Sequence, residues 1–303
     1  MKKFIKQILI FALIFFIIDK AAYFILVKTS KLQSDKKLEK ILEGGMDKEL
    51  IILGSSRGIG NLIGEQLENE TGLTTYNLSY RGSDINFQSY IFKSYLLHNS
   101  APQNLFLVID NPALLDAEPV LSFRYDRLYP LAHYNEINDT LIKLKKHSIA
   151  SRYIYCLRLQ SSQLKFNKIK PVNNWLIDDY GSQILYGKSL YITNISSKPT
   201  DDYTVEEDVE KINSLNQIQE LCQEKNIKIH YIFPPNLSSF NKGFLKRFLQ
   251  LVPDDFSLFI YDDNKSIYKD EKYFYDESHL NYKGAKLFTK DVSDFINNKK
   301  ELF

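Results

Sequence analysis

The chain opens on a hydrophobic run and only afterwards begins to alternate. Met1-Lys2-Lys3-Phe4-Ile5-Lys6 leads into Gln7–Val27, which is almost all Ile, Leu, Phe and Ala and is interrupted by Asp19-Lys20. About 20 apolar residues cross a bilayer, and Ile8–Val27 has that length if the charged pair is tolerated. The pair would cost a few kcal/mol near the bilayer centre. It lies in the second half of the run, where Lys20 can snorkel toward an interface. A cleaved signal sequence is the alternative. Ile8–Ile18 has a suitable length for one, but only Ala21-Ala22 follows as a weak cleavage site. The expectation is an uncleaved transmembrane anchor over residues 1–28. Lys2, Lys3 and Lys6 precede the run and Lys28, Lys31, Lys36 and Lys37 follow it, so lysine placement gives no orientation. Residues 29–48 are polar and lysine-rich. They predict a stalk with a short helix around Lys37–Leu42, closed by Gly44-Gly45.

From Glu49 onward the pattern changes to short apolar runs separated by amphipathic stretches. Leu50–Leu53, Thr74–Leu78, Asn104–Ile109, Ile227–Phe233 and Ser257–Tyr261 read as strands. Between them, Gly60–Asn69, Ile85–Leu97, Val205–Lys225 and Phe244–Leu251 read as helices, and Tyr282–Asn297 as a closing helix. In the longest inner helix, Val209, Ile212, Leu215, Ile218 and Leu221 step by three along one face. Continuous apolar strands alternating with helices predict a parallel sheet covered on both faces. The alternation fades over residues 112–204, an aromatic and irregular stretch that includes Trp175. A segment of that length needs structure of its own, and it is expected to be an insertion or cap. Its aromatic residues read either as a sugar-stacking platform or as ordinary core.

Composition narrows the function classes. The 303 residues carry 39 basic and 37 acidic side chains, a net charge of +2. That balance lacks the basic excess of a nucleic-acid binder. Lys143, Lys145 and Lys146, and Lys299 with Lys300, read as solvated faces. Two cysteines, Cys156 and Cys222, cannot build a disulfide framework, and no Cys/His spacing suggests zinc. His230 on its strand reads as a packed histidine.

The first chemical motif is Gly54-Ser55-Ser56-Arg57-Gly58-Ile59-Gly60, which closes a strand and opens a helix. It resembles the Gly-x-x-x-Gly-x-Gly dinucleotide loop of short-chain dehydrogenases, in which glycines admit a pyrophosphate to a helix N-terminus. That family also uses a Tyr-x-x-x-Lys pair. Tyr261/Lys265, Tyr268/Lys272 and Tyr282/Lys286 have this spacing, but all lie at the end of the chain. Alternatively Ser56 is a nucleophile, presented at the strand's carboxyl end and backed by helix amides. Small residues in a tight turn would look the same.

The second motif is Asp276-Glu277-Ser278-His279-Leu280-Asn281-Tyr282-Lys283-Gly284, before the last helix. His279 needs a partner to fix its tautomer, and Asp276 can supply one from the same turn. The plainer reading is a helix start capped by Asn281, with Asp276 solvated.

Together, Gly-x-Ser after the first strand and Asp-x-x-His-Leu-Asn-x-x-Gly near the end resemble the SGNH/GDSL hydrolase superfamily. The likeness is to its membrane-anchored branch, similar to surface-polysaccharide O-acylation proteins. It covers roughly Glu49–Phe303, with the insertion unmatched, and Ser55 stands where the family's first block has Asp. The resemblance implies a three-layer α/β/α domain with a parallel, flavodoxin-like sheet over residues 49–303, carrying an inserted cap and an N-terminal transmembrane helix. It implies Ser56, His279 and Asp276 as catalytic residues. It further implies oxyanion donors at Ser56, at Gly82 in Asn77-Leu78-Ser79-Tyr80-Arg81-Gly82, and at Asn111, where the family's third-block glycine is missing. The activity implied is that of a serine esterase or O-acyltransferase on acyl esters of cell-surface carbohydrate, with no cofactor or metal. Its partners would be the acylated carbohydrate or another ester, the membrane and a membrane-bound acyltransferase, and its soluble domain would lie outside the cytoplasm. A non-catalytic assembly partner on the same fold is the alternative, and the nucleotide-binding oxidoreductase a further one.

Overall fold

The computed structural model describes residues 1–29, 35–118, 120–160, 176–189, 202–237 and 240–300. They form two compact units. One comprises residues 1–39 with 124–170, and the other residues 40–123 with 171–303.

The larger unit is built on a five-stranded, all-parallel sheet. Its strands are β1 (Leu50–Leu53), β2 (Thr75–Asn77), β3 (Asn104–Val108), β4 (Lys228–Phe233) and β5 (Ser257–Ile260), in the spatial order β2-β1-β3-β4-β5. The register pairs Ile52 with Asn77 on one side and with Phe106 on the other. It continues through Phe106 with His230 and His230 with Ser257. The order reverses at β1, because the chain steps outward to β2 and then returns to the other side for β3. In doubly wound sheets the crevice at such a reversal, beyond the strands' carboxyl ends, is where ligands bind.

The apolar runs read as strands are strands because they are buried. Every residue of β1 is fully covered. Leu50, Ile52, Phe106, Val108 and Ile232 join one apolar cluster with Leu280, Phe288 and Val292. Tyr231 and Phe233, alternating with Ile232, set their rings edge-on to Phe248. This is the period-two alternation of a strand buried on both faces. The helices are α3 (Ser56–Asn61), α4 (Gly64–Thr71), α5 (Ile85–His98), α8 (Val209–Glu224), α9 (Lys242–Phe248) and α10 (Tyr282–Lys300).

One expected helix is divided. The stretch read as Gly60–Asn69 breaks at Leu62 and Ile63, which are extended, with φ −118° and −94°. Their surroundings stabilise the break. The Ile63 amide donates to Thr289 Oγ1 (3.1 Å) and the Gly64 amide to Ser182 Oγ (2.9 Å), so the two amides that open α4 find partners far along the chain.

The smaller unit contains α1 (Lys2–Thr29), α6 (Tyr125–Leu128), α7 (Asn135–Lys143) and 3-10 turns at Tyr129–Leu131, Ile149–Arg152 and Tyr155–Arg158. The α1 helix is long and apolar enough to cross a membrane, with a mean hydropathy of 2.4 over its most apolar 18-residue window. Arg158 is the buried organiser of the turns. It donates to the carbonyls of Ser151 (2.8 Å) and Ala132 (3.1 Å) and lies over the Tyr155 ring.

The region expected as one cap therefore divides, with residues 124–158 folding in the smaller unit and residues 178–189 in the larger. The Tyr180 carbonyl accepts from the Asn77 amide (2.8 Å) at the edge of β2, and Gly181 adopts φ +80° where a side chain would collide with the Asn77 carbonyl. Trp175 lies outside the described residues. Within the expected stalk, Lys36–Glu43 forms α2, whose Leu38, Ile41 and Leu42 are buried.

Candidate functional site

Ser56 is the first residue of α3, immediately beyond β1. Ser55 precedes it as N-cap and accepts from the Arg57 amide (3.3 Å). The turn is tight because neighbours crowd it. A Cβ on Gly54 would meet Val108, and one on Gly58 would meet Ser79. Ser56 itself is only half-buried.

His279 comes from the loop before α10. The loop is closed by a bridge between Phe274 and Leu280 and by the Tyr275 amide donating to the His279 carbonyl (2.8 Å). Asn281 caps α10 by accepting from the Lys283 (3.0 Å) and Gly284 (3.2 Å) amides. Its own amide donates to the Lys272 carbonyl (2.8 Å). The capping role and the chemical one thus coexist in one motif. Asn61, the last residue of α3, accepts from the Leu280 amide (3.0 Å) and so ties the helix bearing Ser56 to the residue after His279.

The structure brings Ser56, His279 and Asp276 together. His279 Nε2 lies 2.7 Å from Ser56 Oγ, and Nδ1 lies 2.8 and 2.9 Å from the two Asp276 carboxylate oxygens. An ionised carboxylate only accepts, so Nδ1 carries the hydrogen and Nε2 faces the serine as acceptor. Four donors meet Asp276 Oδ1, namely the His279 ring, the His279 amide (2.9 Å), the Ser278 amide (3.0 Å) and the Ser278 hydroxyl (3.4 Å). Burial acts to raise this carboxyl. The hydrogen bond and charge of His279, with the two amides, outweigh burial and hold it below its ordinary value.

The implied oxyanion residues are placed unequally. Gly82 sits at φ +68° in a loop fastened to the strand before Ser56, since the Tyr80 amide (3.0 Å) and Ser83 hydroxyl (3.1 Å) both donate to the Gly54 carbonyl. Asn111 turns its side-chain amide onto the Asn241 carbonyl (3.1 Å), committing one of its two hydrogens there.

Two buried groups behind the serine were not singled out from the sequence. Asp110, at the end of β3, accepts from Ser55 Oγ at 2.7 Å. Burial raises its carboxyl, against the opposing pull of Arg57 and the Ser55 bond. Arg57 is buried too and donates to the carbonyls of Pro234 (2.6 Å) and Pro235 (3.2 Å). The signal was an aspartate directly after a buried strand, at the same sheet edge as Ser56. His230 is packed and satisfied, bonded to Ser257 Oγ (2.7 Å) and Asn104 Oδ1 (3.1 Å). One Tyr-x-x-x-Lys pair is engaged elsewhere, with Tyr268 bonded to Asp291 and Lys272 to Asp270.

No protein-family model matches the chain, and no curated protein matches it. The chemistry of the site is therefore read from its geometry.

Proposed function

We propose that this protein is a membrane-anchored serine esterase or O-acyltransferase of the SGNH type, acting on acyl esters of cell-surface carbohydrate. The observation that carries the reading is His279 hydrogen-bonded at once to the Ser56 hydroxyl and the Asp276 carboxylate. The strand order supports it, since Ser56 lies at the reversal point of the sheet. So do apolar strands packed on both faces, as the three-layer arrangement requires.

In the first step Ser56 Oγ attacks the ester carbonyl carbon and its proton passes to His279 Nε2. The imidazolium is stabilised by the Asp276 carboxylate. The Ser56 and Gly82 amides, with the remaining hydrogen of the Asn111 side chain, are the donors assigned to the developing oxyanion. As the carbonyl reforms, the C–O bond to the leaving alcohol breaks and His279 returns the proton to that oxygen. The product is an acyl ester on Ser56. Water or a sugar hydroxyl then gives its proton to His279 and attacks the acyl carbon, and Ser56 Oγ recovers a proton as it leaves. A buried helix start and a carboxylate-oriented imidazole together supply the base and part of the electrostatics. Each oxyanion donor removed is expected to cost about 10²–10³ in rate.

The test is direct capture of the intermediate. Brief exposure to p-nitrophenyl acetate should place one acetyl group on the peptide containing Ser56, read by mass spectrometry, and Ser56→Ala should carry none there. Acetylation equal in the two proteins would exclude the mechanism.

A second reading has its own observation. The Asn111 amide is bonded to Asn241 and the third-block glycine is absent, which suits a non-catalytic assembly partner on this fold. That reading expects no acetyl adduct at Ser56 in well-folded protein.

A further inference from the structure

The charged pair Asp19-Lys20 stands within an otherwise apolar helix, and the structure shows what it meets. Asp19 is buried. Its carboxylate accepts from the backbone amides of Tyr155 (2.7 Å) and Cys156 (2.9 Å) and from Lys20 Nζ (2.9 Å). Lys20 Nζ also donates to the Tyr153 carbonyl (2.5 Å) and lies 4.1 Å from the centre of the Tyr155 ring. The Tyr23 ring is edge-on to Tyr155 at 5.5 Å. All these residues belong to the smaller unit.

Helix length makes this contact informative. The exposed stretch Phe4–Ile18, apolar apart from Lys6 and Gln7, covers only about 22 Å at 1.5 Å per residue, short of a hydrocarbon core of about 30 Å. Exposed apolar residues resume beyond the pair at Phe24 and Ile25. Counted to Ile25, the helix covers about 33 Å, enough to span. The span therefore closes only if the stretch Asp19–Ile25 also lies at membrane depth, with one side toward lipid and the other covered by residues 153–158.

Short 3-10 turns at that depth leave backbone groups that lipid cannot satisfy. Those of Tyr153, Tyr155 and Cys156 are the ones that Asp19 and Lys20 take up. The same segment exposes Ile149, Tyr153 and Leu157, with Tyr153 75% and Ile149 68% accessible. Large apolar side chains left open beside a spanning helix fit the headgroup–acyl boundary, where amphipathic surfaces bury about 5–10 Å deep.

We propose that Ser148–Leu159 is a membrane-seated foot, clamped to the spanning helix by Asp19-Lys20 and inserting Ile149, Tyr153 and Leu157 into the lipid interface. The proposal rests on the anchor reading of α1 and not on the serine chemistry. The membrane contact is then a helix plus a surface, and the intramembrane charges hold the second to the first.

The experiment uses the full chain in phosphatidylcholine–phosphatidylglycerol vesicles with lipid brominated near the acyl carbonyl. In a Trp175→Phe background, which removes the single tryptophan, Leu157→Trp, Tyr153→Trp, Phe24→Trp, Ile10→Trp and Leu97→Trp are compared. Leu157→Trp and Tyr153→Trp are expected to lose emission on brominated lipid as strongly as Phe24→Trp at the same depth of the helix. Leu97→Trp, exposed in the larger unit, is expected to lose none. Equal emission of Leu157→Trp and Leu97→Trp, with Ile10→Trp quenched, would overturn the proposal. So would a concentration-dependent blue shift without lipid quenching, which would make a second copy the occupant. No quenching at Ile10→Trp would overturn it together with the anchor.

Discussion

Ser55 shows how much one side chain constrains at this site. Its hydroxyl donates to the buried Asp110 carboxylate while its oxygen caps the Arg57 amide, one residue on either side of Ser56. A carboxylate at this position, as in a Gly-Asp-Ser block, would face another carboxylate. Like charges in a buried site oppose each other's ionisation strongly. Ser55→Asp should therefore lower stability by about 1–3 kcal/mol or more in urea unfolding, since it also removes the Asp110 donor. The exchange Ser55→Asp with Asp110→Ser should recover part of that loss, a coupling that a double-mutant cycle measures. Asp276 gives a second prediction at this scale. Its carboxyl is held below the ordinary 3.8, so the folded state releases its proton more readily than the unfolded chain. Its contribution to stability is complete above the ordinary value and is lost as pH falls through the depressed one. The stability gap between wild type and Asp276→Asn should accordingly shrink as the pH is taken below about 4.

At the scale of elements, the interest lies in which contacts join them. The 3-10 turn Tyr155–Arg158 is held to α1 by the Asp19 carboxylate, which satisfies two successive amides. Asp19→Ala leaves both without a protein acceptor, and a buried unpaired amide costs about 1–3 kcal/mol. Hydrogen exchange at Tyr155 and Cys156 is expected to rise while exchange in β1 and β3 stays unchanged. The opposite pattern would mean that the turn is held by other contacts. The elements themselves were largely readable from the sequence, because buried parallel strands are short unbroken apolar runs, as Leu50–Leu53 and Asn104–Val108 are. The division between α3 and α4 was not. Leu62 and Ile63 suit a helix locally, and the amide partners that let them extend, Thr289 and Ser182, are more than a hundred residues away. Asn61 was invisible for the same reason, since its role is a single bond to Leu280. The chemistry-bearing residues were legible because Ser56 and His279 stand in short motifs at element ends. The buried pair Asp110 and Arg57 was not, because only tertiary structure brings Asp110 against Ser55.

At the scale of the molecule, the serine constellation and the apolar helix fall in different compact units. Ser56, Asp276, His279 and their hydrogen-bond partners all lie in the unit of residues 40–123 and 171–303. The apolar helix and the turns bound to it lie in the other. An activated serine requires only the first, so Asp19→Ala should leave the reactivity of Ser56 intact. The measurement that bears most directly on the central claim is covalent labelling of the full-length protein by a fluorophosphonate, which reacts with a serine only when a base has activated it. Wild type is compared with Ser56→Ala, His279→Ala and Asp276→Asn, each verified as folded by circular dichroism. The account predicts strong labelling of wild type, none of Ser56→Ala, and labelling slowed by about 10² or more in His279→Ala and Asp276→Asn. Folded wild-type protein that does not label, or a label that persists in Ser56→Ala, would contradict it.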